Sequence, residues 1–147
     1  ALDPLKRFQD SRDAARYTDV ESIAHAIELD QVDNGGNFIQ EIEDITANQW
    51  YMIVDGAKNN NCNDNNIYCD QDVYEDNNCV DLGGLVDEGY LGQIPISSSG
   101  DVDEVEWDIG NLDNDEGTGY VLKKNTNGSV TVQSCESEGV DDIFVVR

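Results

Sequence analysis

The spacing of apolar positions predicts one long helix at the start of the chain, over residues 2–32. Asp3 can cap this helix, and Pro4 stands at the first helical position, where its missing N–H costs nothing. No glycine or further proline follows until the pair Gly35-Gly36, which predicts the helix end.

The two halves of this helix differ in polarity. The second half carries an apolar stripe at helical spacing, made by Val20, Ile23, Ala24, Ala26 and Ile27. In the first half Leu5 and Phe8 start a stripe on the same side, but Arg12 and Arg16 then occupy that arc. We therefore expect the front of the helix to leave its domain. We expect this front, including Leu5, Phe8, Arg12 and Arg16, to pack on something outside this chain.

The remaining apolar runs predict a small antiparallel sheet. Residues 50–54 read as a strand that is apolar on both faces, residues 105–109 alternate as a half-buried strand, and residues 143–146 read as the last strand. Asn127-Gly128 predicts a hairpin turn between two further apolar runs. A short helix or an irregular packing segment is expected within residues 38–45, and a short helix within residues 82–87. The fold class is α+β, with the long helix packed on the sheet.

Length and composition predict a single domain over residues 1–147. We divide it into a helix stem (1–32), an αβ-loop region (33–103) that contains a cysteine-stapled loop (55–79), and the antiparallel sheet (104–147). The chain has 38% hydrophobic residues, and it contains no apolar run of the roughly 18 residues that a membrane span requires. It also lacks an initiator Met, so we expect a mature or trimmed product.

The charge is strongly acidic and unevenly distributed. Four basic and three acidic side chains give residues 1–16 a net charge of +1, whereas residues 17–147 carry −25. A body this acidic repels nucleic acid and anionic membrane surfaces, so direct DNA binding is not expected. The acidity suits solubility in a salty or extracellular setting. Alternatively, the basic helix stem of one copy meets the acidic body of another.

Four cysteines, Cys62, Cys69, Cys79 and Cys135, indicate two disulfides in an exported protein. Their intervals contain no C-x-x-C pair, which disfavours a structural zinc site. Three connectivities are open. We favour one bond between Cys62 and Cys69, closing a small loop, and one between Cys79 and Cys135, tying that loop region to the C-terminal sheet.

Catalytic chemistry is not expected. The single histidine, His25, falls on the helix face opposite the apolar stripe, and no base partner is evident for any cysteine. No cofactor is required by any motif. Calcium is the one candidate ion, because hard cations bind clustered oxygens on loops. One candidate set is Asn111, Asp113 and Asp115, but the following Gly117 falls one place late for an EF-hand and the twelfth position, Leu122, is not acidic; the other is Asn63, Asp64, Asp70 and Asp72.

The chain resembles bacterial type IV pilins and type II secretion pseudopilins, in the segment that follows their transmembrane half-helix. The likeness rests on polar identities that a helix does not itself require, in the run ALDPLKRFQDSRDAARYTDVESI at residues 1–23. It covers residues 1–32 well and residues 79–134 loosely, through GYLGQIP at 89–95 and GYVL at 119–122. The loop at 55–78 has no counterpart in the resemblance.

This resemblance implies a structural subunit of an extracellular pilus-like or pseudopilus filament, with no catalytic residues. Such subunits are anchored in the membrane, before assembly, by an apolar half-helix that is absent here, so we expect Ala1 to be an engineered start. The implied partners are copies of this chain and other pilin-like subunits, and the resemblance implies that Leu5, Phe8, Arg12 and Arg16 contact these subunits. Ile94-Pro95 is followed by Ile96-Ser97-Ser98 where the major pseudopilins have a D-P-W-G stretch, which favours a pilus subunit or a pilin-like protein of another system. The alternative is a cell-surface binding module, either a minor pilin-like adhesin or a calcium-stabilised receptor domain.

Overall fold

A computed structural model describes residues 3–57, 59–98, 105–110, 117–139 and 141–147. Its dominant element is a helix, α1, over Pro4–Asp33. The Oδ1 atom of Asp3 accepts a hydrogen bond of 3.1 Å from the backbone N–H of Leu5, which confirms the predicted cap. At 1.5 Å per residue the helix is roughly 45 Å long.

The sheet has five strands: β1 (Trp50–Val54), β2 (Cys79–Asp81), β3 (Tyr120–Lys124), β4 (Val130–Ser134) and β5 (Phe144–Val146). Their order is β2-β1-β3-β4-β5. The β3–β4 hairpin and β5 confirm the sequence prediction, and Gly128 takes a φ of +88° in the hairpin turn. The sheet is mixed rather than antiparallel, because β2 pairs with β1 in parallel.

Alternation along the strands divides the core between the two faces of the sheet. On the helix face, the α1 stripe from Val20 to Ile27 packs with Tyr51, Ile53, Tyr120 and Leu122. On the loop face, Met52, Val54 and Val121 pack with the cysteines and Trp107. One sheet therefore carries a regular helix on one face and a largely irregular cover on the other.

Two short helices, α2 (Gln40–Glu43) and α3 (Gly83–Asp87), lie where the sequence predicted them. Residues 105–110 form no strand, so that prediction was wrong. Val105 and Trp107 are buried on the loop face as their alternation suggested, at 5% and 4% exposure. Single backbone hydrogen bonds hold the segment in place of a β-ladder. The Asp55 N–H donates to the carbonyl of Ile109, and the Asp108 N–H donates to the carbonyl of Gly117.

Candidate functional site

The front of α1, residues 4–11 (the helix front), extends beyond the sheet. Its side chains are mostly exposed, including Leu5 at 62% and Phe8 at 64%. Leu5 lies on the same helical face as the buried Ile23, 18 residues or five turns later. The face that packs on the sheet thus continues past the sheet's end, where the described monomer leaves it exposed to solvent.

Immediately behind the helix front, Arg16 is 0% exposed and is the centre of an ion-pair network. Its Nη1 atom donates to Asp13 Oδ1 at 2.7 Å and to Glu138 Oε2 at 2.8 Å. Its Nη2 atom donates to the carbonyl of Ser98 at 2.7 Å and lies 3.9 Å from Glu136 Oε2. Every partner except Asp13 comes from a segment far away in sequence.

Arg12 and Asp13 extend this network to the segment after β4. Arg12 donates to both carboxylate oxygens of Glu138, with its Nε at 2.8 Å from Oε2. Asp13 accepts from the backbone N–H of Glu138 at 3.0 Å and of Gly139 at 2.8 Å. The segment after β4 is therefore fastened to α1 by charge-assisted bonds in both directions.

The electrostatics of the network favour ionised carboxylates. Burial alone would raise the pKa of Asp13, but the backbone N–H groups of Glu138 and Gly139 and the Arg16 guanidinium hold it below its ordinary value. Burial likewise opposes ionisation of Glu138, yet its hydrogen bonds from Arg12 and Arg16 lower its pKa. At neutral pH both groups are anions paired with guanidinium groups.

These positions correct part of the predicted subunit contact. Arg16 is enclosed inside its own monomer, so the expectation that it faces a neighbour was wrong. Arg12 is partly exposed, and its side chain is engaged with Glu138 of the same chain. The charged arc on α1 marks a long-range ion-pair network, which spacing along the helix could not reveal. For Leu5 and Phe8 the subunit contact stays a prediction.

Polar contacts continue down the same helix. The Tyr120 hydroxyl donates to Asp19 Oδ2, and burial together with this bond raises the pKa of Tyr120. Arg147 pairs with Glu21 at 3.0 Å and with Glu28 at 3.3 Å. Apolar packing and flanking ion pairs thus fix the helix to the sheet, and the helix front extends beyond the sheet.

The second candidate surface is the cysteine loop, residues 55–79. The disulfides join Cys62 to Cys79 and Cys69 to Cys135, so the connectivity we favoured was wrong. The first bond closes the loop on itself at β2. The second ties its middle to the residue that follows β4. The backbone between 62 and 78 is otherwise irregular, with a single 3-10 turn at Asn66–Tyr68.

This loop presents large apolar side chains to solvent. Ile67 is 85% exposed and Tyr74 is 74% exposed, while Val73 between the two disulfide anchors is 1% exposed. The Val73 N–H donates to Asn66 Oδ1 at 2.8 Å, and Asn66 Nδ2 donates to Asp72. The loop is therefore an exposed surface that two disulfides hold in place and that internal hydrogen bonds order.

Of the two predicted calcium sets, the structure describes only one. Asn111, Asp113 and Asp115 lie outside the described residues. Asn63, Asp64, Asp70 and Asp72 lie on the cysteine loop, where Asp72 accepts from Asn66 and the pKa of Asp70 is raised by burial and by the nearby Asp142. Among the residues that the structure describes, no three His, Cys, Asp or Glu side chains converge as a metal site. His25 is exposed, as predicted.

Comparison with protein-family models, with curated proteins and with solved structures finds no match for this chain. Within the described ranges, no helix has both the length and the apolar character needed to cross a membrane.

Proposed function

We propose that this protein is a structural subunit of an extracellular filament of the type IV pilus or pseudopilus kind, and that it assembles through α1. The observation that carries the proposal is the helix front. It continues the sheet-packing face of α1 past the sheet and exposes Leu5 and Phe8 there. Apolar side chains on a projecting helix gain free energy when another subunit covers them.

The way α1 is fixed supports the same function. The buried Arg16 network lies directly behind the helix front and fastens the helix to Ser98 and to the segment after β4. A load on the helix front would therefore be transmitted to the whole domain. Two disulfides are consistent with an oxidising, extracellular setting. They crosslink the outer loops of a subunit that ATP-dependent chaperones cannot refold in that setting.

The resemblance to pilins supplies the rest of the proposal. An apolar half-helix would continue α1 upstream and anchor the subunit in the membrane before assembly. The partners would be copies of this chain and other pilin-like subunits. The acidic body would face outward and would not bind nucleic acid directly, and no catalytic group or required cofactor is part of this function.

The test is incorporation into filaments sheared from cells that produce the protein from its complete gene. We expect the chain in the filament fraction, and we expect the Leu5→Glu/Phe8→Glu variant to remain folded but to be strongly depleted from it. Ile67→Glu/Tyr74→Glu is the matched control, because it places the same two charges at exposed apolar residues of the cysteine loop. Equal incorporation of both variants, or absence of the wild-type chain from filaments, would contradict the proposal.

A second candidate is a cell-surface binding module, either a minor pilin-like adhesin or a calcium-stabilised receptor domain. The exposure of Ile67 and Tyr74 on a doubly tethered loop favours it. Its discriminating property is saturable binding by the isolated domain that is lost when the disulfides are reduced. Filament incorporation that depends on the helix front distinguishes the first candidate from this one.

A further inference from the structure

A groove of about 460 Å³ lies between the start of β1 and the cysteine loop, on a part of the surface that the helix front does not use. Its volume is in the range of roughly 300–1,000 Å³ that is usual for small-molecule sites. The lining residues combine two aromatic rings, two carboxylates and two amides: Asn48, Gln49, Trp50, Asp72, Tyr74 and Glu75.

Both walls of the groove are held in place. Trp50 begins β1, pairs with Lys123 of β3, and packs its partly buried ring against the loop-face cluster. The opposite wall, residues 72–75, lies between the two disulfide anchors at Cys69 and Cys79, with Val73 buried at its centre. The backbone of both walls is therefore fixed before a ligand binds, and binding would order only exposed side chains such as Tyr74.

The chemistry of the groove is selective for positive charge. Asp72 and Glu75 are carboxylates, and none of the described residues that line the groove is basic; Lys123 lies beside the groove, against the Trp50 ring. The faces of Trp and Tyr rings attract cations. The Trp50 ring already does so, because Lys123 Nζ lies 4.8 Å from its centroid. The body around it carries a net charge of −25, which repels anionic ligands and concentrates cationic ones.

We propose that this groove binds an organic cation carrying a primary or quaternary ammonium group. The ammonium lies against the rings of Trp50 and Tyr74, and the carboxylates of Asp72 and Glu75 balance its charge. Neutral sugars also stack on aromatic rings and bond to amides and carboxylates, but they gain nothing from the charge of the two acids. The proposal does not depend on filament assembly, since the groove is formed within one monomer.

The test uses the full chain with choline and with its neutral isostere 3,3-dimethylbutanol, followed by NMR of the two indole N–H groups. Trp50 reports on the groove. Trp107, the other tryptophan, is 4% exposed and donates to Glu136, so it serves as an internal control of the fold. We expect a saturable shift of the Trp50 indole with choline at millimolar concentration, an unmoved Trp107 indole, and at least about tenfold weaker binding of the isostere.

Charge variants complete the test. Asp72→Asn/Glu75→Gln should weaken choline binding by about tenfold or more, whereas Glu41→Gln/Asp64→Asn, which removes the same charge from exposed positions outside the groove, should leave it within about twofold. Equal binding of choline and its isostere, tighter binding of N-acetylglucosamine than of choline, or no saturable Trp50 shift while the Trp107 indole shows a native fold would each overturn the proposal.

Discussion

The two faces of the sheet are covered by opposite means. The helix face is covered by α1, whose apolar residues recur at helical spacing, and by an ion-pair network around Arg16. The loop face is covered by irregular backbone that two disulfides hold against Met52, Val54 and Val121. Both covers bury the residues of β4, whereas at β5 the loop cover leaves Phe144 and Val146 51% and 47% exposed.

The difference shows how each cover resists unfolding. A helix packs through many local contacts, so its weak points are buried charges and cavities. An irregular loop has few such contacts and a large conformational entropy, so its stability depends on crosslinks that restrict the unfolded chain. We therefore expect the loop face to be sensitive to reduction and the helix face to be sensitive to acid and to loss of Arg16.

The largest effect is expected on the loop face. Replacing Cys69 and Cys135 together by Ser should lower the free energy of unfolding by about 4 kcal/mol, because that bond spans 66 residues of sequence. Replacing Cys62 and Cys79, which are 17 residues apart, should cost about 3 kcal/mol. Urea unfolding followed by tryptophan fluorescence measures both. A larger loss from the shorter crosslink would show that native packing, rather than restriction of the unfolded chain, sets the contribution of each bond.

On the helix face, Arg16→Ala should lower the free energy of unfolding by about 3 kcal/mol, because it leaves Asp13 and Glu138 partly buried without their shared cation. Lys6→Ala is the control on the same helix. It removes the solvent-exposed pair with Asp10 and should change stability by less than about 0.5 kcal/mol. Similar losses for the two variants in urea unfolding would mean that the network contributes no more than a surface ion pair.

A smaller effect is expected from pH, with opposite signs at two carboxylates. The lowered pKa of Glu138 contributes stability above its ordinary value of 4.5, and this is lost as the pH falls through the lowered value. The advantage of wild type over Glu138→Gln should therefore shrink below about pH 4.5. Burial and the neighbouring Glu88 raise the pKa of Asp30, so ionised Asp30 opposes folding at neutral pH.

Wild type should thus gain stability relative to Asp30→Asn as the pH falls from neutral through the raised pKa of Asp30. Urea unfolding at a series of pH values gives both differences. Parallel pH profiles for the two variants would refute the assignment of opposite shifts.

The smallest effect is expected at the end of the helix front. Asp3→Ala removes the cap on Leu5 N–H and should weaken the first turn by about 1 kcal/mol. Amide hydrogen exchange over residues 5–8 should then become about fivefold faster, while global stability stays unchanged because the side chains of this turn are exposed. Asp10→Ala, on the same exposed stretch but without a capping role, should leave the exchange rates near those of wild type. A global loss of stability from Asp3→Ala would mean that the helix front is packed on the body.

The same contrast decides what could be predicted from the sequence. The α1 helix, the Asn127-Gly128 hairpin and the last strand carry local signals, namely a cap, a periodic stripe and a turn dipeptide, and each was found. The strand β2 has only three residues and no alternation to detect. Residues 105–109 alternate because two side chains are buried beneath the loop, although their backbone joins no ladder.

In the candidate site, too, only features with a local signal in the sequence could be predicted. The exposed apolar pair Leu5 and Phe8 was evident from spacing alone. The role of Arg16 was not, because Glu136 and Glu138 lie about 120 residues away and a charged arc on a helix is usually solvated. The disulfide connectivity was likewise set by tertiary proximity, which brings Cys69 to Cys135 on the loop face of the sheet. The groove at Trp50 joins two segments whose separate sequences carry no binding motif.

Photo-cross-linking between copies in intact, filament-producing cells tests the assembly proposal most directly. A benzophenone amino acid at position 8 is compared with one at position 67, since Phe8 and Ile67 are both exposed apolar residues, at 64% and 85%. We expect a ladder of cross-linked multimers from position 8 and mainly monomer from position 67. Multimers from position 67 with monomer at position 8 would contradict assembly through the helix front and would favour the cysteine loop as the contact surface.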